Sequence, residues 1–375
     1  MIISAERLLA PCGLIRDGWV EVGQNRIQRW GFHQPGVDAD LTVEILSPGF
    51  VDVHSHGGGG ANFSADPADV TTVLNAHLAH GTTTMVASLV TGSIDTLDEQ
   101  VRTLASFVAE DKLAGIHLEG PWLSHQYKGA HPENLLINPE IADISRLLDS
   151  SNNTIRMVTI APELPGAMEA IAYLVERDVL AAIGHTGADF ETTVAAIEMG
   201  ARGATHLFNA MPDILHRAPG PALALCKDDR VWVELVCDGV HVHLELISYV
   251  MRVAPAGVVL ITDAMAAAGC SDGDYVLGEM TVEVRDSVAR IAGTTTIAGS
   301  TLTLDKAVRT AVKAGVDLGD ALKAATSNPA DYLGLESVGR IATGAWADLV
   351  CLDGDLYPTH VMRRGEWVHP AKKGP

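Results

Sequence analysis

The sequence predicts a (β/α)8 barrel joined to a small β-sandwich domain that both chain ends build. Eight apolar runs rich in Val, Ile and Thr alternate with helical patterns through the middle of the chain, and several of them end on His, Glu or Asp. Short strand-like segments recur at both termini. A length of 375 residues suits this plan, since an α/β barrel takes roughly 250 residues and leaves room for one small further unit. The reading divides the chain into 1–47 and 336–375 for the β domain and 48–335 for the barrel.

At the amino end, Trp19-Val20-Glu21-Val22 and Arg26-Ile27-Gln28-Arg29-Trp30 flank a turn at Gly23-Gln24-Asn25, which is a hairpin signal. The same texture returns in 347–352 and 360–368. Neither end has enough strands to bury a face alone, so the two are expected to share one sheet system.

The barrel strands are read at 50–56, 82–88, 114–119, 155–162, 179–185, 203–209, 231–238 and 257–263. Asp66 opens a helix as N-cap with Pro67 at the first helical position, and Gly81 stops it after His80. Helical patterns also fill 166–177, 189–199, 243–253, 304–314 and 319–327. Residues 276–300 break the alternation with a hairpin-like stretch, Met280 to Val284 and Val288 to Ile291, read as an insertion near the mouth of the barrel. Eight strands with intervening helices point to a closed barrel, an open doubly wound sheet being the alternative before the strand-end motifs are considered.

Composition excludes some functions. A formal charge of −21 and a pI near 5.0 argue against nucleic acid or an anionic membrane as partner, because both need a basic face. The five cysteines are scattered without a C-x-x-C pair, so neither a disulfide framework nor a thiolate metal knot is expected, and a reducing cytosol fits. The amino terminus lacks the basic and apolar regions of an export signal, and no apolar stretch reaches the ~18 residues of a membrane span.

The chemistry lies at the strand ends. Phe50-Val51-Asp52-Val53-His54-Ser55-His56 places two imidazoles two residues apart, on one side of an extended segment. His-x-His alone is weak evidence. The further ends His117-Leu118-Glu119, Gly184-His185-Thr186, Thr205-His206-Leu207 and Thr262-Asp263-Ala264 change the reading. A barrel gathers such ends at its carboxyl rim, so His54, His56, Glu119, His185, His206 and Asp263 are expected to converge as metal ligands or proton carriers. One such residue would more simply satisfy a local hydrogen bond; six at the right ends would not. His117, inside its strand, reads as a core or supporting residue. Gly57 to Gly60 reads as a pliant rim loop, because no helix with a Lys-Ser/Thr start follows it.

His and carboxylate donors suit a divalent metal, zinc first, with iron, manganese or cobalt also possible. Either one ion sits among spare groups, or Glu119 bridges two ions held by His54 with His56 and by His185 with His206. The ligand count favours a capacity for two.

These motifs, with Pro48-Gly49, Lys128-Gly129-Ala130-His131, Phe208-Asn209-Ala210-Met211, Asp238-Gly239-Val240-His241 and Ile297-Ala298-Gly299-Ser300, resemble the amidohydrolase superfamily and, within it, the N-acetylglucosamine-6-phosphate deacetylases. The resemblance runs through nearly the whole chain. It implies that Glu119, His185 and His206 form the main metal site, and His54 and His56 the second. It makes Asp263 the general base and acid, although Asp263 could instead be only a metal ligand. His131 would help the metal polarise the acetyl carbonyl. The substrate would meet Ala130, His131, Asn209, Ala210, Arg217, His241, Ile297, Ala298, Gly299 and Ser300, with Arg217 on the phosphate. A homodimer is implied, with Arg217 or His241 acting across it. Two other readings are a dihydroorotase-like hydrolase of cyclic amides and a non-catalytic scaffold. The first expects a modified lysine on strand four, where Ile160-Ala161-Pro162-Glu163 stands; the second expects lost ligands, and all six are present.

Overall fold

The structure is a computed structural model and describes residues 1–32, 38–254 and 257–368. Residues 33–37 and 369–375 of the predicted β domain lie outside the described residues. Four strands open the chain: β1 (Ile2–Ala10), β2 (Gly13–Gly23), β3 (Arg26–Phe32) and β4 (Leu41–Pro48). The first barrel strand β5 (Phe50–Ser55) leads into a two-residue ladder of β6 (Gly57–Gly58) and β7 (Ala61–Asn62). Barrel strands β8 (Thr82–Val90), β9 (Gly115–Glu119), β10 (Ile155–Ile160), β11 (Leu180–Ile183), β12 (Gly203–Ala204), β13 (Trp232–Val236) and β14 (Val258–Ile261) follow. A three-stranded antiparallel sheet comes next, β15 (Gly273–Leu277), β16 (Met280–Arg285) and β17 (Val288–Ile291). The chain ends on β18 (Leu349–Leu352), β19 (Pro358–Arg363) and β20 (Glu366–Val368).

The two chain ends share one seven-stranded sheet in the order β20-β19-β18-β4-β1-β2-β3. β18 joins β4 antiparallel, with Cys351 opposite Leu46, so neither terminus completes the sheet without the other. Arg26 bridges to Trp346, folding the β3 edge back over the segment before β18. The sheet thereby encloses its own core, in which Ile3, Leu8, Val20, Ile27, Leu46 and Met362 are buried.

The eight strands from β5 to β14 form a parallel sheet in chain order. Its first and last strands meet without a regular ladder. Asp263 donates its backbone N–H to the His54 carbonyl at 2.9 Å, and the buried Asp52 carboxylate accepts from the Thr262 hydroxyl at 2.6 Å and from its N–H at 3.3 Å. Asp52 thus closes the barrel beside the site; burial pushes its carboxyl up to about 6, against the opposing hydrogen bonds from Thr262.

All eight predicted strands are found, yet most end earlier than the sequence suggested. Strands β11, β12 and β14 each stop two residues before the functional side chain, because His185, His206 and Asp263 sit at φ values of +46°, +30° and +48°. Side chains rarely accept such a conformation, and only the surrounding contacts hold it.

The helix at Pro67–Leu78 has the predicted start, with Asp66 accepting from the Ala68 N–H, and Gly81 follows at φ +91°. The sequence reading missed helices at Ile94–Ala109, Ile141–Ser150, Gly220–Lys227 and Ser327–Tyr332, and it ran the helix at Leu318–Ala324 on to residue 327. Gly220–Lys227 starts on Gly-Pro, a turn signal that hid it. The Gly57–Gly60 segment is not a pliant loop. Its N–H groups bond the carbonyls of Ala264, Ala266 and Ala268 at 2.8–2.9 Å. A Cβ on Gly57 would meet the Ala61 carbonyl oxygen at 2.5 Å and one on Gly58 the His77 ring at 2.8 Å, so close packing requires glycine there.

Candidate active site and metal centre

The carboxyl rim brings the six predicted side chains together. Glu119, the last residue of β9, stands at the middle. Its Oε1 lies 2.9 Å from His206 Nε2, 3.2 Å from His185 Nε2 and 3.5 Å from His54 Nε2. Its Oε2 lies 3.0 Å from His56 Nε2 and 3.4 Å from His131 Nε2. Asp263 Oδ1 is 3.4 Å from His56 and 3.7 Å from His54. The Asp263 backbone is held on both sides, giving its N–H to His54 and accepting the Ser300 N–H at 2.7 Å.

The outer ring nitrogens show which way the imidazoles are set. His56 Nδ1 faces the Ser88 carbonyl at 3.1 Å and His185 Nδ1 the Tyr127 carbonyl at 2.8 Å. A carbonyl only accepts, so each Nδ1 carries a proton and Nε2 is the inward nitrogen, which offers a lone pair when the ring is neutral. His54 does the same through Glu234, 3.0 Å from its Nδ1. Facing pairs then lie close, His54 to His56 at 3.2 Å and His185 to His206 at 3.1 Å. Two donors about 2.0–2.1 Å from one tetrahedral ion stand about 3.3 Å apart, so this donor set fits a divalent metal. Two groupings bring candidate ligand atoms within 4.8 Å of one another, His54 with His56 and Asp263, and Glu119 with His131 and His185. His131 differs from the others in its outer contacts. Its Nδ1 faces the Thr91 hydroxyl at 2.8 Å and the Thr91 N–H at 3.4 Å; a ring nitrogen that accepts from both leaves its proton on Nε2.

The electrostatics favour cations in the His54 half. Burial opposes charge on His56, but the Asp263 and Glu119 carboxylates outweigh it and lift its pKa to about 9. Burial likewise opposes charge on His54, and Glu119 and Glu234 hold it well above the usual range. His185 goes the other way, pulled to about 4 by burial and the neighbouring His131. Burial would raise Asp263, yet the hydrogen bond from His56 and the charge of His54 keep it at about 2. Asp263 is therefore ionised at neutral pH.

Above the centre lies a cavity of about 420 Å³. His56, Glu119, His131, His185, His206 and Asp263 form its floor. Ala130, Asn209, Ala210, His241, Ile297 and Gly299, six of the residues proposed from the sequence to surround a substrate, line its walls. His54 lies beneath the floor. Ala298 and Ser300 turn into the core, the latter giving its hydroxyl to the Thr262 carbonyl at 2.5 Å. The insertion forms a roof through Leu277, Thr295 and Thr296, none of which the sequence reading named. His117 is not a ligand, because the hydroxyls of Ser88 and Thr159 occupy its two nitrogens at 2.9 and 2.8 Å.

A model of the amidohydrolase family matches residues 45–368. The chain belongs to the amidohydrolase family. Among its curated relatives, N-acetylgalactosamine-6-phosphate deacetylase of Escherichia coli O157:H7 is 35% identical over 97% of this chain and 98% of its own. Human N-acetylglucosamine-6-phosphate deacetylase is 37% identical over 88% and 85% of the two chains. The solved structure of N-acetyl-D-glucosamine-6-phosphate deacetylase from Mycobacterium smegmatis is 48% identical, covers 98% of this chain and 100% of its own, and superposes with a TM-score of 0.95.

This amidohydrolase keeps one expected substrate residue away from its own cavity. Arg217 is exposed at the tip of a tight turn closed by Leu215 and Ala218, which exchange backbone hydrogen bonds at 3.1 and 3.2 Å. The sequence reading also missed Glu234, a carboxylate within β13 that is fully buried beneath His54. Its signal was present: a single charged residue in the otherwise apolar run Val231 to Val236.

Proposed function

We infer that the chain removes the acetyl group from N-acetylglucosamine 6-phosphate, releasing acetate and glucosamine 6-phosphate. The observation that carries this reading is Glu119 ringed by five imidazole Nε2 atoms within 3.5 Å, with Asp263 beside them. His54, His56, Glu119, His185, His206 and Asp263 would hold one or two divalent ions, zinc first among the candidates. When bound, the ion supplies a water acidic enough to ionise near neutral pH and a Lewis-acid contact for the acetyl oxygen. Asp263 accepts a proton from the attacking water, whose oxygen joins the acyl carbon. As the carbon–nitrogen bond breaks, Asp263 returns that proton to the leaving amine. His131 donates from Nε2 to the acetyl oxygen as negative charge grows there.

The relatives differ in sugar, galactosamine in one and glucosamine in the other two. The glucosamine epimer is favoured by the 48% identity to the Mycobacterium smegmatis enzyme. Acetate release from the two 6-phosphates and from unphosphorylated N-acetylglucosamine tests this, with the glucosamine phosphate expected to give the highest kcat/KM. Faster turnover of the galactosamine phosphate would reassign the sugar, and equal turnover without phosphate would remove the phosphate from recognition.

The phosphate needs a local cation, because the net charge of −21 gives no general attraction. We assign Arg217 that role from a second copy of the chain, since it lies outside its own cavity. The homodimer and a cytosolic setting belong to the same proposal, the latter supported by five cysteines that are all unpaired. A charged hydrogen bond contributes about 1.5–3 kcal/mol, so Arg217→Ala is expected to raise KM for the phosphorylated sugar by roughly tenfold or more. Turnover of the unphosphorylated sugar should barely change; a parallel loss on both sugars would make Arg217 structural.

His241 is the cation expected within the cavity itself. Burial would lower its pKa, but Asp238, 2.7 Å from Nδ1, raises it. A raised pKa means the ring keeps its proton to higher pH than a free imidazole and loses it as pH climbs through the raised value. KM for the phosphorylated sugar is therefore expected to rise at alkaline pH, in a range where the phosphate stays dianionic above about pH 6. His241→Asn should flatten that rise. An unchanged profile in the variant would remove His241 from phosphate binding.

A further inference from the structure

We propose that Glu234 is the positioning residue that keeps His54 ready to bind metal, and that Tyr332 holds Glu234 in turn. The proposal rests on the metal-centre reading above and adds a residue that touches neither substrate nor ion.

Glu234 lies within β13, at no measurable exposure, between the apolar Val233 and Leu235. One oxygen, Oε2, faces His54 Nδ1 at 3.0 Å and the His206 N–H at 3.4 Å. The other, Oε1, accepts from the Tyr332 hydroxyl at 3.2 Å. Tyr332 comes from the helix Ser327–Tyr332, is buried, and packs by Trp232 at the start of β13 with ring centres 6.3 Å apart. A chain of contacts therefore runs through the barrel interior, from the helix carrying Tyr332 up to the rim.

A buried carboxylate is costly unless its oxygens are bonded, and an apolar residue would fill the place with less penalty. Among the described residues no Lys or Arg pairs with Glu234, so it does not serve an ion pair with a basic side chain. What it does is fix a tautomer. With the Nδ1 proton donated to Glu234, the His54 Nε2 lone pair faces His56 Nε2 at 3.2 Å and Glu119 Oε1 at 3.5 Å. The His117 ring stands edge-on to His54 at 4.6 Å and blocks rotation on the other side. A glutamine at 234 must keep its one acceptor oxygen toward this pair, because the His206 N–H also points there, and it loses the negative charge that holds the Nδ1 proton and strengthens His54 as a ligand.

The test is a calorimetric titration of chelator-treated protein with Zn(II), comparing wild type, Glu234→Gln, His54→Asn and the double variant. Wild type is expected to take up two ions. Glu234→Gln should weaken the ion of the His54 half by roughly ten- to hundredfold, the usual loss when a ligand-orienting partner is removed, and leave the Glu119 and His185 half within about threefold. In the His54→Asn background, Glu234→Gln should cost nothing further in metal affinity, since the ring it orients is gone. Wild-type affinity in Glu234→Gln, or an equal added loss in the double variant, overturns the proposal. If Glu234→Gln does not fold, Tyr332→Phe, which deletes one hydroxyl, is expected to weaken the same ion by roughly three- to tenfold, and no change there overturns it. A wild-type protein that binds no ion overturns the metal-centre reading and this proposal with it. Two ions with wild-type affinity in Glu234→Gln overturn this proposal alone.

Discussion

Replacing Asp263 by Asn is expected to lower kcat by roughly 10²- to 10⁴-fold while the fold and the affinity for substrate survive. The expectation follows from where the side chain stands. Asp263 is one of the cavity-lining groups, and its backbone is pinned by bonds to His54 and Ser300 that do not involve the carboxylate. Its side chain meets two histidines from one direction only, 3.4 and 3.7 Å away. The carboxylate is ionised in the neutral range, held low by the hydrogen bond from His56 and the charge of His54, and a metal that takes over those two rings would release it to receive a proton. Asparagine keeps the size and an oxygen toward the histidines but cannot carry the proton to the amine. Steady-state kinetics with a check of metal content separates the two roles that the sequence left open. Lost turnover with metal retained assigns the proton shuttle; lost metal makes Asp263 a ligand; near-normal turnover removes it from the chemistry.

Glu119→Gln is expected to be more severe for the metal than any single histidine change. Both oxygens of Glu119 are engaged, Oε1 toward His206, His185 and His54, and Oε2 toward His56 and His131. The neighbouring histidines hold its carboxyl well below the usual range, overcoming the burial that would raise it. An amide in its place removes the negative charge and turns an N–H toward one half-site. Metal analysis should find Glu119→Gln depleted in both ions and His54→Asn depleted in one. Equal content in wild type and both variants would refute the bridging arrangement.

The site was legible in the sequence to the extent that its residues mark strand ends. His54, His56 and Glu119 fall at the end of regular extended runs, and the barrel rim gathers them without further information. The turns that aim His185, His206 and Asp263 were not legible, because positive φ is signalled mainly by glycine and these residues carry side chains. Glu234 escaped for a different reason: one charge inside an apolar strand reads as a flaw in the pattern until the residue above it is known. The helix at Ile94–Ala109 was available, with Ser93 as cap and Leu97, Val101, Leu104 and Ala105 buried on one face. Arg217 illustrates the limit of any single chain, since its proposed role depends on a second copy.

The most direct measurement is acetate release from N-acetylglucosamine 6-phosphate by chelator-treated protein as a divalent ion is titrated back. The account predicts that the metal-free protein is inactive, that acetate production returns in step with bound metal, and that one acetate appears for each glucosamine 6-phosphate. Full acetate release by the metal-free protein, or none by protein with its metal restored, would contradict it.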